Sequence, residues 1–108
     1  MIKEMDIRRR GDAILVGIAI ESAILDFETT ETLLRTALEM LDRPRKGADW
    51  MKIGVFGEFP VTLHLASGDS LSIVIDGPYF ESNRSVCAMI HLNKSEFREV
   101  VNRASLSP

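Results

Sequence analysis

Four side chains in the second half of this chain could act as metal ligands or catalytic groups: His64, Asp76, Cys87 and His91. A thiol beside an imidazole suits nucleophilic catalysis, and two imidazoles with a thiol and a carboxylate suit zinc. The spacing argues against both. Cys87 and His91 stand four residues apart on one face of an expected strand, roughly 13 Å. They could share a centre only if His64 lay on a neighbouring strand and Asp76 supplied a fourth ligand. The reading adopted is a small buried thiol with two half-exposed histidines. No metal and no cofactor is expected.

Other chemistry finds less support. No pair among the many carboxylates is placed for acid–base work. Gly54, Gly57, Gly68 and Gly77 each suit a turn or a strand bend, and none opens a phosphate-binding loop ahead of a helix. Arg8-Arg9-Arg10 is a short basic run, and the Phe and Tyr residues do not alternate with Lys/Arg on a strand. With a formal net charge of -3, no nucleic-acid partner is expected, because phosphate contacts need local positive charge. Arg10-Gly11-Asp12 reads as a turn rather than an adhesion tripeptide.

The elements that position these residues centre on Ala13–Ile20. Ile14, Val16, Ile18 and Ile20 share one face of a strand, and Ala13, Leu15, Gly17 and Ala19 the other. Eight apolar residues in a row suggest a central strand buried on both faces. The run is too short for a membrane span, which needs roughly 20 apolar residues. Residues 2–9, with Met5 and Ile7 alternating with charges, should form a hairpin with 13–22 across Gly11-Asp12.

The spacing of Leu34, Ala37, Leu38 and Leu41 predicts a helix over 28–42. Asp26 or Thr29 would cap it, and Pro44 would end it. Glu28, Glu31, Glu39 and Asp42, with Arg35, form its solvent stripe. From Glu21 to Asp42 the chain has six acidic residues and one basic, whereas Arg43, Arg45 and Lys46 follow with no acid between them.

Residues 50–76 read as a three-stranded meander. Turns fall at Gly57-Glu58 and at 67–70, and Pro60 belongs at a strand start or edge. A loop over 77–84 carries Tyr79 and Phe80, and a last strand covers 85–92. Asn93 then caps a C-terminal helix. Glu96 completes a capping box, and Leu92 and Phe97 form a hydrophobic staple.

This order, ββ-α-ββββ-α, predicts an α+β fold: a five- or six-stranded, mostly antiparallel sheet with two helices packed on one face. Residues 1–108 form a single domain. The chain is 45% hydrophobic but only 6% aromatic, so its core should be aliphatic. One cysteine and a start without an apolar core suit a cytoplasmic protein.

Function is expected to be binding. Partner-binding candidates are Glu28, Glu31, Glu39 and Asp42 on the acidic stripe, with Trp50, Tyr79 and Phe80 as aromatic anchors. The expected partner is another, basic protein. The form that fits best is an inhibitor or immunity protein neutralising a toxin. A homodimer through a sheet edge is also expected, and no membrane contact. The alternative is a ligand-binding domain or enzyme whose pocket lies between sheet and helices, with His64, His91 or Asp76 at its mouth.

Overall fold

The computed structural model describes residues 2–21, 23–43, 49–65, 68–79 and 84–106. The elements are β1 (Glu4–Arg10), β2 (Ala13–Ala19), β3 (Ile24–Thr30), α1 (Glu31–Asp42), β4 (Asp49–Phe56), β5 (Phe59–Leu65), β6 (Ser70–Tyr79), β7 (Arg84–Asn93) and α2 (Lys94–Leu106). All strands belong to one antiparallel sheet, in chain order from β1 to β7. The α+β class and the two helices on one face stand as expected. The sheet has seven strands, against the five or six expected.

The additional strand is β3. Leu25, Phe27 and Thr29 are buried, and Ile24, Asp26 and Glu28 between them are exposed. That is a period of two, and it pairs Phe27 with Val16 and Leu25 with Ile18. The helix expected over 28–42 therefore begins at Glu31. Its cap is neither Asp26 nor Thr29 but Thr30, whose Oγ1 accepts from the Leu33 N–H at 3.2 Å. Tertiary pairing overrides the weak β propensity of the acidic residues. Two other boundaries differ: β6 runs on to Tyr79 and β7 starts at Arg84, so 77–79 and 84 of the loop expected over 77–84 are strand, and 80–83 lie outside the described residues.

The inner face of the sheet carries the core. Ile14, Val16 and Ile18 of β2 join Leu63 of β5, Ile73 of β6 and Ile90 of β7, all essentially inaccessible. Leu34, Ala37, Met40 and Leu41 of α1 pack on them, as do Phe97, Val100, Val101 and Ala104 of α2. Ile20 and Leu38, also expected in the core, are only partly buried at its margin. On the outer side of β2, Ala13, Leu15, Gly17 and Ala19 are only half-buried, with no second layer among the described residues. The expectation that both faces of this strand are buried is corrected accordingly.

α2 touches both β1 and β7, the two outermost strands. A sheet whose ends both reach one helix must curl around it. The reciprocal capping box anchors that helix: Asn93 Oδ1 accepts from the Glu96 N–H at 2.8 Å, and Glu96 Oε1 accepts from the Asn93 N–H at 3.0 Å. Glu96 Oε2 also accepts from the Ile2 N–H at 2.8 Å. At the far end of α2, Arg9 of β1 donates to the Ala104 carbonyl at 3.2 Å, a cation at the negative pole of the helix. Among the described residues no helix is long and apolar enough to cross a membrane.

Two halves of the sheet meet at β3 and β4, which share a single ladder pair, Glu28 with Val55. The pairing of β4 with β5 shifts register between Lys52 and Gly54. That bulge turns both Ile53 and Gly54 inward, and both are buried. The buried Thr29 hydroxyl donates to the Ile53 carbonyl and reinforces the junction. A Cβ at Gly54 would lie 2.3 Å from the Glu28 carbonyl oxygen, so only glycine lets the two backbones meet.

Two outcomes are expected. Gly54→Ala should destabilise by roughly 1–3 kcal/mol, since backbone must move, measured as a lower midpoint in chemical denaturation. The second concerns Glu96. Its carboxyl is held below the usual range chiefly by the Asn93 N–H, against partial desolvation, and further by the Ile2 N–H. A depressed folded pKa gives stabilisation that is complete above the unfolded value, about 4.3. It is lost as pH falls through the lower folded value. The stability gap between wild type and Glu96→Gln should therefore be open at neutral pH and narrow on acidification; a gap independent of pH would contradict the assignment.

Candidate functional site

The helices occupy the inner face, so the outer face is where side chains meet solvent. Two zones can be distinguished on it. One spans β4 to β7. Register places Trp50 beside His64, His64 beside Ser72, and Ser72 beside His91. The Trp50 and His64 rings stack at 6.5 Å and 21°. His64 Nε2 shares a 2.9 Å hydrogen bond with Thr62 Oγ1, and His91 Nδ1 shares one of 2.8 Å with Ser72 Oγ.

This row is orderly but poor in chemistry. His64 and His91 are two strands apart, roughly 10 Å between backbones, with Ser72 between them. Among the described residues no group of three or more His, Cys, Asp or Glu side chains could hold a metal ion. Asp76 and Cys87 face each other in the β6–β7 ladder, and their side chains lie outside the described residues. Ser72 and His91 make a nucleophile–base contact, but an exposed one, and no described carboxylate orients the ring.

The second zone is a groove of about 510 Å³ across β1 to β4. Asp6 and Arg8 of β1, Asp26 and Glu28 of β3, and Val55 and Phe56 of β4 form its walls, and Leu15 and Gly17 of β2 its floor. Arg8 Nε pairs with Asp6 at 3.0 Å. Asp26 and Glu28 have no cationic partner among the described residues. Phe56 stands at the rim, 47% exposed. The absence of a side chain at Gly17 makes room for Asp26: a Cβ there would lie 2.7 Å from Asp26 Oδ1.

A mostly apolar hollow of about 380 Å³ adjoins the groove, lined by Ala13, Thr30, Leu33, Lys52 and Gly54. Glu28 and Val55 border both. The hollow opens where β3 and β4 part on either side of their single pair.

The partner-binding candidates are scattered by this fold. Glu28 lies on the outer face of the sheet, away from α1. Glu31 is half-covered and paired, with Arg35 at 3.0 Å and Arg9 at 3.9 Å. Asp42 pairs with Arg98 of α2 at 2.6 Å. Glu39 is exposed. Trp50 is 65% exposed on the outer face, roughly 17 Å along β4 from Val55. Tyr79 ends β6 opposite Arg84, with its side chain outside the described residues, as is Phe80. Sequence reasoning missed Asp6, Asp26, Gly17 and Phe56. Alternation on β3 was the signal that could have found Asp26.

Comparison with protein-family models, with curated proteins and with solved structures gives no match.

Gly17 and Gly54 make a controlled contrast. Gly17→Ala meets only the end of a flexible, exposed carboxylate, and alanine suits a strand better than glycine by roughly 0.5–1 kcal/mol. Its denaturation midpoint should be equal to or slightly above wild type. A loss as large as that of Gly54→Ala would mean that Asp26 is fixed by more than its contact with β2.

Proposed function

We propose that this chain works by binding a basic protein partner, as an inhibitor or immunity protein neutralises a toxin. One observation carries this reading: Asp26 and Glu28, with no cationic partner among the described residues, lie in a groove whose rim is an exposed phenylalanine. Unpaired carboxylates attract a lysine or arginine side chain and speed its encounter. An aromatic at the rim offers the desolvated contact that slows release. The binding surface is therefore the outer face around Asp26, Glu28 and Phe56, with Trp50 as a second anchor further along β4. Glu39 is exposed with no described ion pair, whereas Glu31 and Asp42 already have arginine partners.

A pocket between sheet and helices, which an enzyme reading would need, finds less support. Buried aliphatic side chains from both layers fill that space. The groove opens on the outer face instead, and the hollow lies at the start of α1, with Leu33 of that helix in its lining.

The test is fluorescence anisotropy with a labelled lysine-rich peptide and an acidic control of equal length. Asp26→Lys combined with Glu28→Lys should weaken binding of the basic peptide by about tenfold or more. It should also flatten the salt dependence, because exposed charges are screened. Phe56→Ala should raise the dissociation rate more than it lowers the association rate. Equal binding of both peptides, or wild-type affinity in the double variant, would rule out the groove.

A further inference from the structure

β1 ends the sheet on one side and, among the described residues, pairs only with β2. Unpaired edges template pairing with another chain, and charged side chains usually discourage it. Here the charges are ordered. The exposed outer residues of β1 are, in sequence, Glu4, Asp6, Arg8 and Arg10, two acids followed by two bases, with Ile7 at the centre.

That order is self-complementary under a two-fold axis. Antiparallel pairing of β1 with a second β1 about Ile7 sets Glu4 of one copy opposite Arg10 of the other, and Asp6 opposite Arg8. The same pairs recur on the other side of the axis, so every outer charge meets its opposite. Moving the axis by one residue breaks this. Centred on Asp6, the ladder opposes Asp6 to Asp6; centred on Arg8, it opposes Arg8 to Arg8. Like charges directly opposite are destabilising and opposite charges stabilising, so one register is selected.

We infer that β1 is a self-recognition edge through which two copies of this chain join into one continuous antiparallel sheet. The inner side of the strand supports this. α2 is tied to this segment at Ile2 and Arg9. Between these ties Met5 and Ile7 are only half-buried against the core. Pairing brings Ile7 against Ile7 and lays Met5 along the aliphatic stem of Arg9, which covers both open flanks. Little opposes the exchange on the outer side. The Arg8–Asp6 pair within one strand has side chains 75% and 65% exposed, and exposed pairs of this kind contribute little. An isologous edge contact also closes on itself and leaves no free β1 edge to propagate a fibre.

Charge-swapped variants test this by sedimentation velocity at about 100 μM chain, where micromolar association is visible. Wild type should sediment as a dimer in low salt and dissociate as salt rises. Asp6→Lys alone places lysine opposite Arg8, and Arg8→Glu alone places glutamate opposite Asp6. Each should weaken the dimer by about tenfold or more. Mixed together they restore both pairs and should form a heterodimer, with circular dichroism showing both variants folded. A monomeric wild type, single variants that dimerise as wild type does, or a mixture that stays monomeric would each overturn the inference.

Discussion

The fold depends on the approach of β3 to β4. Among the described residues one ladder pair, Glu28 with Val55, joins the two halves of the sheet. Everything around it serves that contact. Gly54 removes the side chain that would strike the Glu28 carbonyl. The bulge at Ile53 and Gly54 brings the Ile53 carbonyl within reach of Thr29. α1 leaves β3 directly, capped by Thr30 one residue beyond that threonine. A buried hydroxyl without a partner costs more than the bond returns, so Thr29 and Ile53 hold each other in place. Elsewhere the halves are joined by the helices, with α1 on β3 and β4 and α2 on β1 and β7.

Curling the sheet around two helices uses up its inner face and leaves much of the outer one open, although Thr62 and Val74 there are buried. Among the described residues no further helix or strand lies over it. The outer face is accordingly polar in most positions and small on β2, where Ala13, Gly17 and Ala19 alternate with the core residues. Small side chains between charged ones on β1 and β3 produce the groove. The groove is therefore a consequence of the same alternation that builds the core. Its depth follows from Gly17, and its far wall from the bulged end of β4.

Much of this was readable from residue periodicity. The hairpin of β1 and β2, the meander from β4 to β6 and the capping box of α2 all follow from alternation, turn glycines and the Asn93–Glu96 spacing. The junction was not. Asp26, Glu28 and Thr30 on β3 resemble a helix N-terminus, where acidic residues and threonine are favoured. Alternation of Leu25, Phe27 and Thr29 competes with that signal, and only pairing with Ile18, Val16 and Ile14 decides between them. Glu28 was thus singled out on a helix it does not belong to. The row from Trp50 to His91 was equally invisible, because each residue comes from a different stretch of sequence and only the strand register aligns them.

The distribution of charge separates structural from available groups. On the helical side two acids are answered, Glu31 by Arg35 and Arg9 and Asp42 by Arg98, which links α1 to α2, whereas Glu39 is exposed with no described ion pair. These contacts hold the ends of the layers together, with Arg9 reaching both the first turn of α1 and the last turn of α2. On the outer face Asp26 and Glu28 have no described cation to answer them. Exposed like charges along one strand add nothing to stability. Replacing them therefore leaves the fold largely untouched, whereas a bound cation would gain from both at once.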